Sequence, residues 1–113
     1  MLNNNVKKAL KEYIEQGCIS NPEDYLFKSR KGSGPITGVQ AWQILNKAAS
    51  SVGIKERVGT HTLRKTFGYH AYQQGIDITL LQKVFNHSTP SITLRYIGIT
   101  QEDIDNVYVN LNL

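Results

Sequence analysis

The spacing of apolar residues restricts the fold of this chain more than any other feature of its sequence. Apolar side chains recur every three or four positions in successive segments, which is the period of an α-helix with one buried face. Capping residues and glycines stand at the ends of these segments. Helices are therefore predicted over residues 3–16, from Thr37 to a stop at Gly53, over about 62–74, from a cap at Asp77 to a break at NHST (86–89), over 90–97 and over 101–108.

Two short stretches do not fit the helical pattern. YLF (25–27) is predicted to be an extended segment or one small strand, and KSRKGSGP (28–35) to be a basic, exposed, glycine-rich loop. The loop contains neither GxGxxG nor GxxxxGK[ST], so its glycines do not indicate a phosphate-binding loop. The predicted fold class is mainly α: a compact, bundle-like set of helices with at most one or two very short strands.

Length and composition indicate one globular domain over residues 1–113. Hydrophobic residues make up 40% of the chain, and the formal net charge is +4. This charge favours an acidic partner such as nucleic acid, although alone it is weak support. The single cysteine, Cys18, excludes an internal disulfide and suits a reducing compartment. Because no apolar run is long enough for a signal peptide or a membrane span, a soluble cytoplasmic protein is expected.

The third predicted helix, within GTHTLRKTFGYH (59–70), divides into two faces. One is predicted to carry a site and holds His61, Arg64, Lys65, Gly68 and Tyr72; the other is predicted to face the core and holds Leu63, Phe67, His70, Ala71 and Gln74. The first face has an imidazole and a guanidinium one turn apart at a helix N-terminus, where free backbone N–H groups also attract anions. Gly68 would leave this face open to a bulky ligand. A phosphate site is predicted, and a solvated basic face is an equally compatible alternative.

The histidines and the cysteine lack the spacing of a metal site. A zinc site needs four ligands, and His61, His70, His87 and Cys18 form neither an HxxxH nor a CxxC pattern. No metal or other cofactor is therefore predicted. His70 is interpreted as a structural side chain, and Trp42 as a core residue of the second helix.

A second group of polar residues lies in NHSTPSITLRYIGIT (86–100), where Tyr96 follows His87 by nine positions and Arg95 directly precedes the tyrosine. Together with HTLR (61–64), this segment resembles the tyrosine recombinase, or phage integrase, family. The family signature is H-x-x-R, then a second His or Trp in a G-H-S-like turn, then a tyrosine in a short helix. The flanking HTLRKTF, DITLLQKVFNHS and TLRYI are also similar, so the resemblance covers about residues 25–108.

The resemblance implies cutting and rejoining of DNA through a covalent 3′-phosphotyrosine. Tyr96 would be the nucleophile, and His61 the base that helps to remove its proton. His87 would donate a hydrogen bond to the scissile phosphate. Arg64 would neutralise charge on the non-bridging oxygens in the transition state, so no metal is needed.

Two features depart from the family pattern. Asn86 stands where the family has Gly before the second histidine, and Asn tolerates left-handed backbone geometry. The family's second catalytic arginine and its hairpin lysine belong to upstream motifs, whose context Arg30, Arg57, Lys28 and Lys31 do not match. The resemblance therefore implies a truncated C-terminal portion of an integrase catalytic domain, without the upstream motifs or the N-terminal DNA-binding domain. Such a chain is expected to be inactive or very slow alone.

The partners that the resemblance implies are a double-stranded DNA recombination site and other integrase protomers. Lys65 and Arg95 are interpreted as contacts to backbone phosphates, which add affinity and salt dependence. The last helix, through Ile104, Val107 and Val109, could dock in cis or in trans. A bacterial or phage-encoded protein at the nucleoid, from a phage or other mobile element and without membrane contact, is expected.

Two other functions are compatible with parts of the sequence. A non-catalytic DNA-binding module would place the third helix in the major groove. The gap over about residues 53–60 is too long for a helix-turn-helix turn, however, and the spacing of His87 and Tyr96 is left unexplained. A stand-alone remnant that binds and regulates a full-length integrase is the other alternative.

Overall fold

The computed structural model describes residues 1–111, which are mainly helical. The α-helices are α1 (Asn4–Tyr13), α2 (Gly38–Ser51), α3 (Thr60–Gln73), α4 (Ile78–Phe85), α5 (Pro90–Ile97) and α6 (Gln101–Asn110), and a π-helical segment (Ile14–Cys18) follows α1. Within residues 1–111 there is no strand longer than one isolated antiparallel bridge, between Lys28 and Pro35. The predicted mainly α fold class is confirmed.

Internal contacts divide the chain into two units, one over Met1–Ile44 and one that begins at Leu45. The prediction that residues 1–113 form a single domain requires that these two units pack together, and it stays a prediction. None of the helices that the structure describes is long and apolar enough to cross a bilayer.

The N-terminal helix is shorter than the predicted span of residues 3–16. Asn3 caps it, because the Asn3 side chain accepts a hydrogen bond of 2.9 Å from the Val6 N–H. Regular α-helical geometry ends at Tyr13, and Gly17 then takes a left-handed conformation (φ 77°) inside the π-helical segment. The predicted helical span thus ends in a widened turn with a left-handed residue inside it.

The segment predicted to be extended forms turns instead. Residues 26 and 27 lie in a turn rather than a strand. The glycine-rich loop that follows is closed at its two ends by the Lys28–Pro35 bridge, and the Ser29 N–H donates to the Gly34 carbonyl at 2.8 Å. Thr37, the predicted start of the second helix, forms a capping box with Gln40 through reciprocal hydrogen bonds of 2.8 and 3.2 Å.

The core of the second unit lies where α3, α4 and α5 meet. Its buried side chains are Leu81, Phe85 and Ile97, and Ala71, Tyr72, Ile78, Tyr96 and Ile99 pack against them. Left-handed residues close the C-terminal ends of four helices. They are Gly53 after α2, Gly75 after α3, Asn86 after α4 and Gly98 after α5. These ends allow short connections between helices that pack together.

The predicted core face of α3 is wrong in part. Leu63 is 50% exposed and Phe67 56% exposed, and His70 is exposed as well. The helix contacts the core instead through Gly68, Ala71 and Tyr72. The predicted faces followed from helical spacing alone, whereas the burial of Gly68 depends on the bulky residues opposite it.

Trp42 was also predicted to lie in the core, and it is 43% exposed. The buried residue of α2 is Ala49, which is 8% exposed. Because Trp is large, it is rarely enclosed fully. The small residues of an apolar stripe therefore indicate the buried face of a helix better than a Trp does.

Candidate active site

Side-chain hydrogen bonds to the loop before α3 position the first turn of this helix. Asn46 donates to the Val58 carbonyl at 2.6 Å and accepts from the Val58 N–H at 2.9 Å, which ties the loop before α3 to α2. Thr62 accepts a bond of 3.1 Å from the Gly59 N–H at the helix start. These contacts fix the position of His61 in the first turn of α3. No sequence pattern indicates this role of Asn46, because its partner is the backbone of a residue twelve positions away.

The turn between α4 and α5 holds the backbone of His87. Asn86 has left-handed dihedral angles (φ 57°, ψ 42°), as expected for a residue that replaces the family's Gly. The His87 N–H donates to the Gln82 carbonyl at 3.0 Å, and the Gln82 side-chain amide donates to the His87 carbonyl at 3.1 Å. The imidazole of His87 therefore projects from a backbone fixed on both sides.

Tyr96 is contacted by three other predicted site residues, which come from distant parts of the sequence. The Tyr96 hydroxyl lies 3.4 Å from Nδ1 of His61, which is 35 positions earlier in the sequence. The ring of His87 meets the Tyr96 ring edge-on, with centroids 5.0 Å apart. Nζ of Lys65 lies 5.4 Å from the centroid of the same ring. The structure thus brings together both histidines and the tyrosine of the predicted signature.

Phe85 joins Arg64 to this group. The Arg64 guanidinium carbon lies 4.7 Å from the centroid of the Phe85 ring, and an Arg64 N–H donates to the Val84 carbonyl at 3.4 Å. The rings of His87 and Tyr96 have centroids 5.5 and 5.4 Å from that of Phe85, which is 5% exposed. The sequence marks Phe85 only as an apolar residue at helical spacing, so its place between Arg64, His87 and Tyr96 was not predicted.

Gly68 does not leave the helix face open, contrary to the prediction. It is buried, and a Cβ atom at this position would lie 2.6 Å from both the Phe85 ring and the Ile97 side chain. Tyr72, assigned to the same face, packs against the core. The site face of α3 is therefore limited to its first two turns, and Gly68 marks where Phe85 packs against the helix.

A hydroxyl that the sequence analysis did not single out contacts His87. Oγ1 of Thr93 lies 3.0 Å from Nδ1 of His87, and Thr93 is 0% exposed. The signal in the sequence is weak, since a threonine within a helix is common and the helical wheel alone does not say that it is buried beside a histidine.

Other polar residues lie apart from this group. Arg95 is exposed on α5, and the His70 ring packs edge-on against Tyr69, with centroids 5.6 Å apart.

Hydrogen bonds from Thr79 lower the pKa of Asp77, and hydrogen bonds from Thr100 lower the pKa of Asp103; these carboxylates cap α4 and α6. Among residues 1–111, no three His, Cys, Asp or Glu side chains are grouped as a metal ion requires.

The groups around Tyr96 and Phe85 suit nucleophilic attack on a phosphate diester. The Tyr96 hydroxyl lies beside an imidazole that can accept its proton, and a guanidinium and a second imidazole lie against the neighbouring Phe85 ring. His61, Arg64 and Lys65 are exposed, so a polymer can reach them. The chemical role of each residue stays a prediction.

Comparisons with known proteins agree with this fold. Residues 1–103 match the Phage integrase family, and the chain belongs to that family. A probable integrase/recombinase, YoeC, of Bacillus subtilis is 50% identical over 97 residues, which cover 86% of this chain and 51% of that protein. A tyrosine recombinase of Pseudothermotoga lettingae is 35% identical over 102 residues, covering 90% of this chain and 34% of that protein.

A solved structure shows the same fold. The crystal structure of XerA recombinase superposes with a TM-score of 0.76 at 22% identity, and the match covers 100% of this chain and 42% of that one. The chain thus spans about half the length of the Bacillus subtilis relative and about a third of the Pseudothermotoga lettingae relative.

Proposed function

We propose that this chain is the C-terminal catalytic segment of a site-specific tyrosine recombinase that breaks and rejoins DNA through a 3′-phosphotyrosine. The observation that carries this proposal is the 3.4 Å separation between the Tyr96 hydroxyl and Nδ1 of His61. Arg64 and His87 lie against the same Phe85 ring as Tyr96, which supports a shared phosphate. The names of the relatives, integrase and tyrosine recombinase, support the same reaction class.

The first step of the reaction forms a covalent enzyme–DNA link. His61 accepts the phenolic proton as the Tyr96 oxygen attacks phosphorus, and the bond from phosphorus to the 5′-oxygen breaks. Arg64 and His87 donate hydrogen bonds to the non-bridging oxygens, where negative charge increases in the transition state. A positioned base contributes about 10²- to 10⁴-fold in rate, and one such donor about 10²- to 10³-fold.

The second step reverses the first with a different DNA end. A 5′-hydroxyl from another strand attacks the phosphotyrosine and gives its proton to the group that protonated the leaving 5′-oxygen in the first step. The bond from phosphorus to the Tyr96 oxygen breaks, and the phenol regains a proton from His61. One phosphodiester replaces another, so the cycle consumes neither ATP nor water. This balance suits an exchange of DNA strands rather than hydrolysis.

The isolated chain is expected to cleave ordinary DNA slowly or not at all. In the part that the structure describes, the side chains gathered at Phe85 supply a base, one guanidinium and one imidazole donor. We assign protonation of the leaving 5′-oxygen, and a second cation for the phosphate, to groups outside this set. Each is worth orders of magnitude in rate.

The proposed partners follow from charge and from exposed apolar surface. Net charge of +4, with Lys65 exposed beside the Tyr96 ring and Arg95 exposed on α5, suits a double-stranded DNA backbone. On α6, Val107 and Val109 are exposed, which suits docking on another recombinase protomer. A phage or other mobile element as source, and location at the nucleoid, belong to the same proposal.

A substrate with a good leaving group tests the assignment in the 113-residue chain itself. An oligonucleotide whose 3′-phosphate is esterified with p-nitrophenol needs no acid to protonate the leaving oxygen, so the remaining groups suffice for attack. We expect release of p-nitrophenol together with a covalent adduct, which peptide mass spectrometry maps to Tyr96. Tyr96→Phe is expected to abolish the adduct.

Tyr69→Phe is the matched control, because Tyr69 lies on α3 beside His70 and apart from the site. It is expected to form the adduct as the unmodified chain does. An adduct that persists in Tyr96→Phe, or one that maps to another tyrosine, contradicts the proposed nucleophile. DNA binding without any adduct from the activated substrate supports the non-catalytic DNA-binding module instead.

A further inference from the structure

Thr93 is a fully buried polar residue to which the proposed reaction assigns no role. It lies in α5, three positions before Tyr96, and 0% of it is exposed. A buried hydroxyl needs a hydrogen-bond partner, and the nearest partner of Thr93 is Nδ1 of His87, at 3.0 Å. One helix thus carries the proposed nucleophile and also contacts the proposed phosphate donor.

The distance of 3.0 Å is compatible with either direction of this hydrogen bond, because the role of Nδ1 depends on the tautomer of the His87 ring. We take the Thr93 hydroxyl as the donor, since Nδ1 is the nearer of the two acceptors within its reach. The other acceptor near the Thr93 hydroxyl is the Thr89 carbonyl, at 3.5 Å, and that carbonyl already accepts the Thr93 N–H at 3.4 Å. Nδ1 of His87 is closer. A hydroxyl that donates to Nδ1 leaves the proton of the neutral imidazole on Nε2, since a neutral ring has one donor and one acceptor nitrogen.

We propose that Thr93 is a positioning residue for His87. Its hydroxyl occupies Nδ1 and so presents the Nε2–H of His87 to the phosphate. It also ties that donor to α5, and therefore to Tyr96, so that nucleophile and donor keep a fixed separation. This inference rests on the proposed function, and Thr93 acts only through His87 because it is enclosed in the core.

Two substitutions separate positioning from packing. Thr93→Val keeps the shape of the side chain and removes the hydroxyl, whereas Thr93→Ser keeps the hydroxyl and removes a methyl group. In a fully enclosed site, the serine variant leaves a small cavity. If Thr93 served packing alone, adduct formation by the two variants would follow their unfolding midpoints. Positioning predicts that adduct formation follows the hydroxyl.

The first measurement is the rate of adduct formation with the p-nitrophenyl oligonucleotide at saturating concentration, in the 113-residue chain. Thr93→Val is expected to lower this rate about 10- to 100-fold, the range found when a hydrogen-bond partner that orients a functional histidine is removed. Thr93→Ser is expected to recover most of it. Thr66→Val, which removes a hydroxyl bonded only to the Thr62 carbonyl on α3, is the matched control.

The second measurement does not depend on activity. Nitrogen-15 chemical shifts of the His87 ring in the unliganded chain report which nitrogen carries the proton and whether Nδ1 accepts a hydrogen bond. The expected result is protonation at Nε2 in the wild type and in Thr93→Ser, with a change of the Nδ1 shift in Thr93→Val. A proton on Nδ1 in the wild type, or the same Nδ1 shift in Thr93→Val, overturns the proposal.

The two measurements also separate this inference from the proposed function. A wild-type chain that forms no Tyr96 adduct contradicts the proposed function, and the nitrogen-15 shifts still test the pairing of Thr93 with His87. A wild-type adduct together with a Thr93→Val rate equal to that of wild type contradicts the positioning role alone.

Discussion

The guanidinium of Arg64 and the ammonium of Lys65 are neighbours in the sequence but lie on different rings. Arg64 stacks over Phe85 at 4.7 Å, whereas Nζ of Lys65 lies 5.4 Å from the centroid of Tyr96. A planar guanidinium can stack on a ring and still offer two parallel N–H groups to phosphate oxygens, which an ammonium cannot do. At the scale of single residues, replacing Arg64 and replacing Lys65 should therefore affect different quantities, the reaction rate and the DNA affinity respectively.

Arg64→Lys is expected to lower the rate of adduct formation from the activated oligonucleotide about 10²- to 10³-fold, because it removes a donor from the transition state. Lys65→Ala is expected instead to weaken DNA binding and to reduce the slope of log affinity against log salt by about 1. Adduct kinetics and salt titrations measure these effects. A lysine at position 64 that supports the wild-type rate would contradict the role of Arg64.

The sequence predicted the polar members of the site but not the residues that hold them together. His61, Arg64, His87 and Tyr96 could be named because their side chains carry chemistry at a recognisable spacing. Phe85 and Thr93 could not, because their roles depend on which atoms face them across the core. An apolar stripe predicts that Phe85 is buried, but only three-dimensional packing places an arginine above its ring.

At the scale of secondary structure, the helices and several of their caps were predictable, although α1 ends earlier and α3 begins earlier than predicted. Caps act through hydrogen bonds to residues two or three positions away, so the sequence holds all the information that they require. Pro90 and Thr100 begin the last two helices as predicted. Which face of α3 is buried was less predictable, because the answer depends on α4 and α5.

Gly68 is the position where α3 and the pair of helices α4 and α5 come closest. Gly68→Ala would put a Cβ 2.6 Å from the Phe85 and Ile97 side chains, both 5% exposed and unable to move freely. Overpacking of a core costs about 1–3 kcal/mol, more than the roughly 1 kcal/mol gained when Ala replaces a helical Gly. We expect a lower free energy of unfolding, measured by urea denaturation followed by circular dichroism.

Gly38→Ala serves as the control for Gly68→Ala, because a Cβ at Gly38 in α2 would meet nothing within 4 Å. Its free energy of unfolding is expected to stay the same or to rise. A Gly68→Ala variant as stable as Gly38→Ala would show that the interface at Gly68 is looser than the structure indicates.

The cap of α6 should depend on pH. The Asp103 carboxylate accepts hydrogen bonds of 2.7 Å from the N–H and from the hydroxyl of Thr100, which lower its pKa. Because the pKa is lower in the folded than in the unfolded chain, the cap contributes fully above the unfolded value of about 3.9 and is lost as pH falls through the folded pKa.

Asp103→Asn removes this titration while keeping an oxygen that can accept from Thr100. Between about pH 5 and pH 2, the thermal midpoint of the wild type is expected to fall more steeply than that of Asp103→Asn. Asp77, whose pKa is also lowered, titrates in both proteins and cancels in the comparison. Parallel pH profiles of the two proteins would contradict a stabilising role for the Asp103 carboxylate.

The candidate site draws all of its side chains from the unit that begins at Leu45. They come from the first two turns of α3, from the end of α4 and the turn after it, and from α5, so the distances between them depend on how these helices pack into one core. The chain covers 51% of the length of the Bacillus subtilis relative.

The claim that His61 and His87 contact one phosphate can be measured directly in the 113-residue chain. It contains three histidines, and His70, on the opposite face of α3 from His61, provides an internal reference. A short DNA duplex that ends in a 3′-phosphate is titrated while the imidazole signals are followed by NMR. We predict that the His61 and His87 signals shift along one binding curve while the His70 signals stay in place. Separate curves for His61 and His87, no saturable shift of either, or an equal shift of His70 would contradict a single phosphate site at Tyr96.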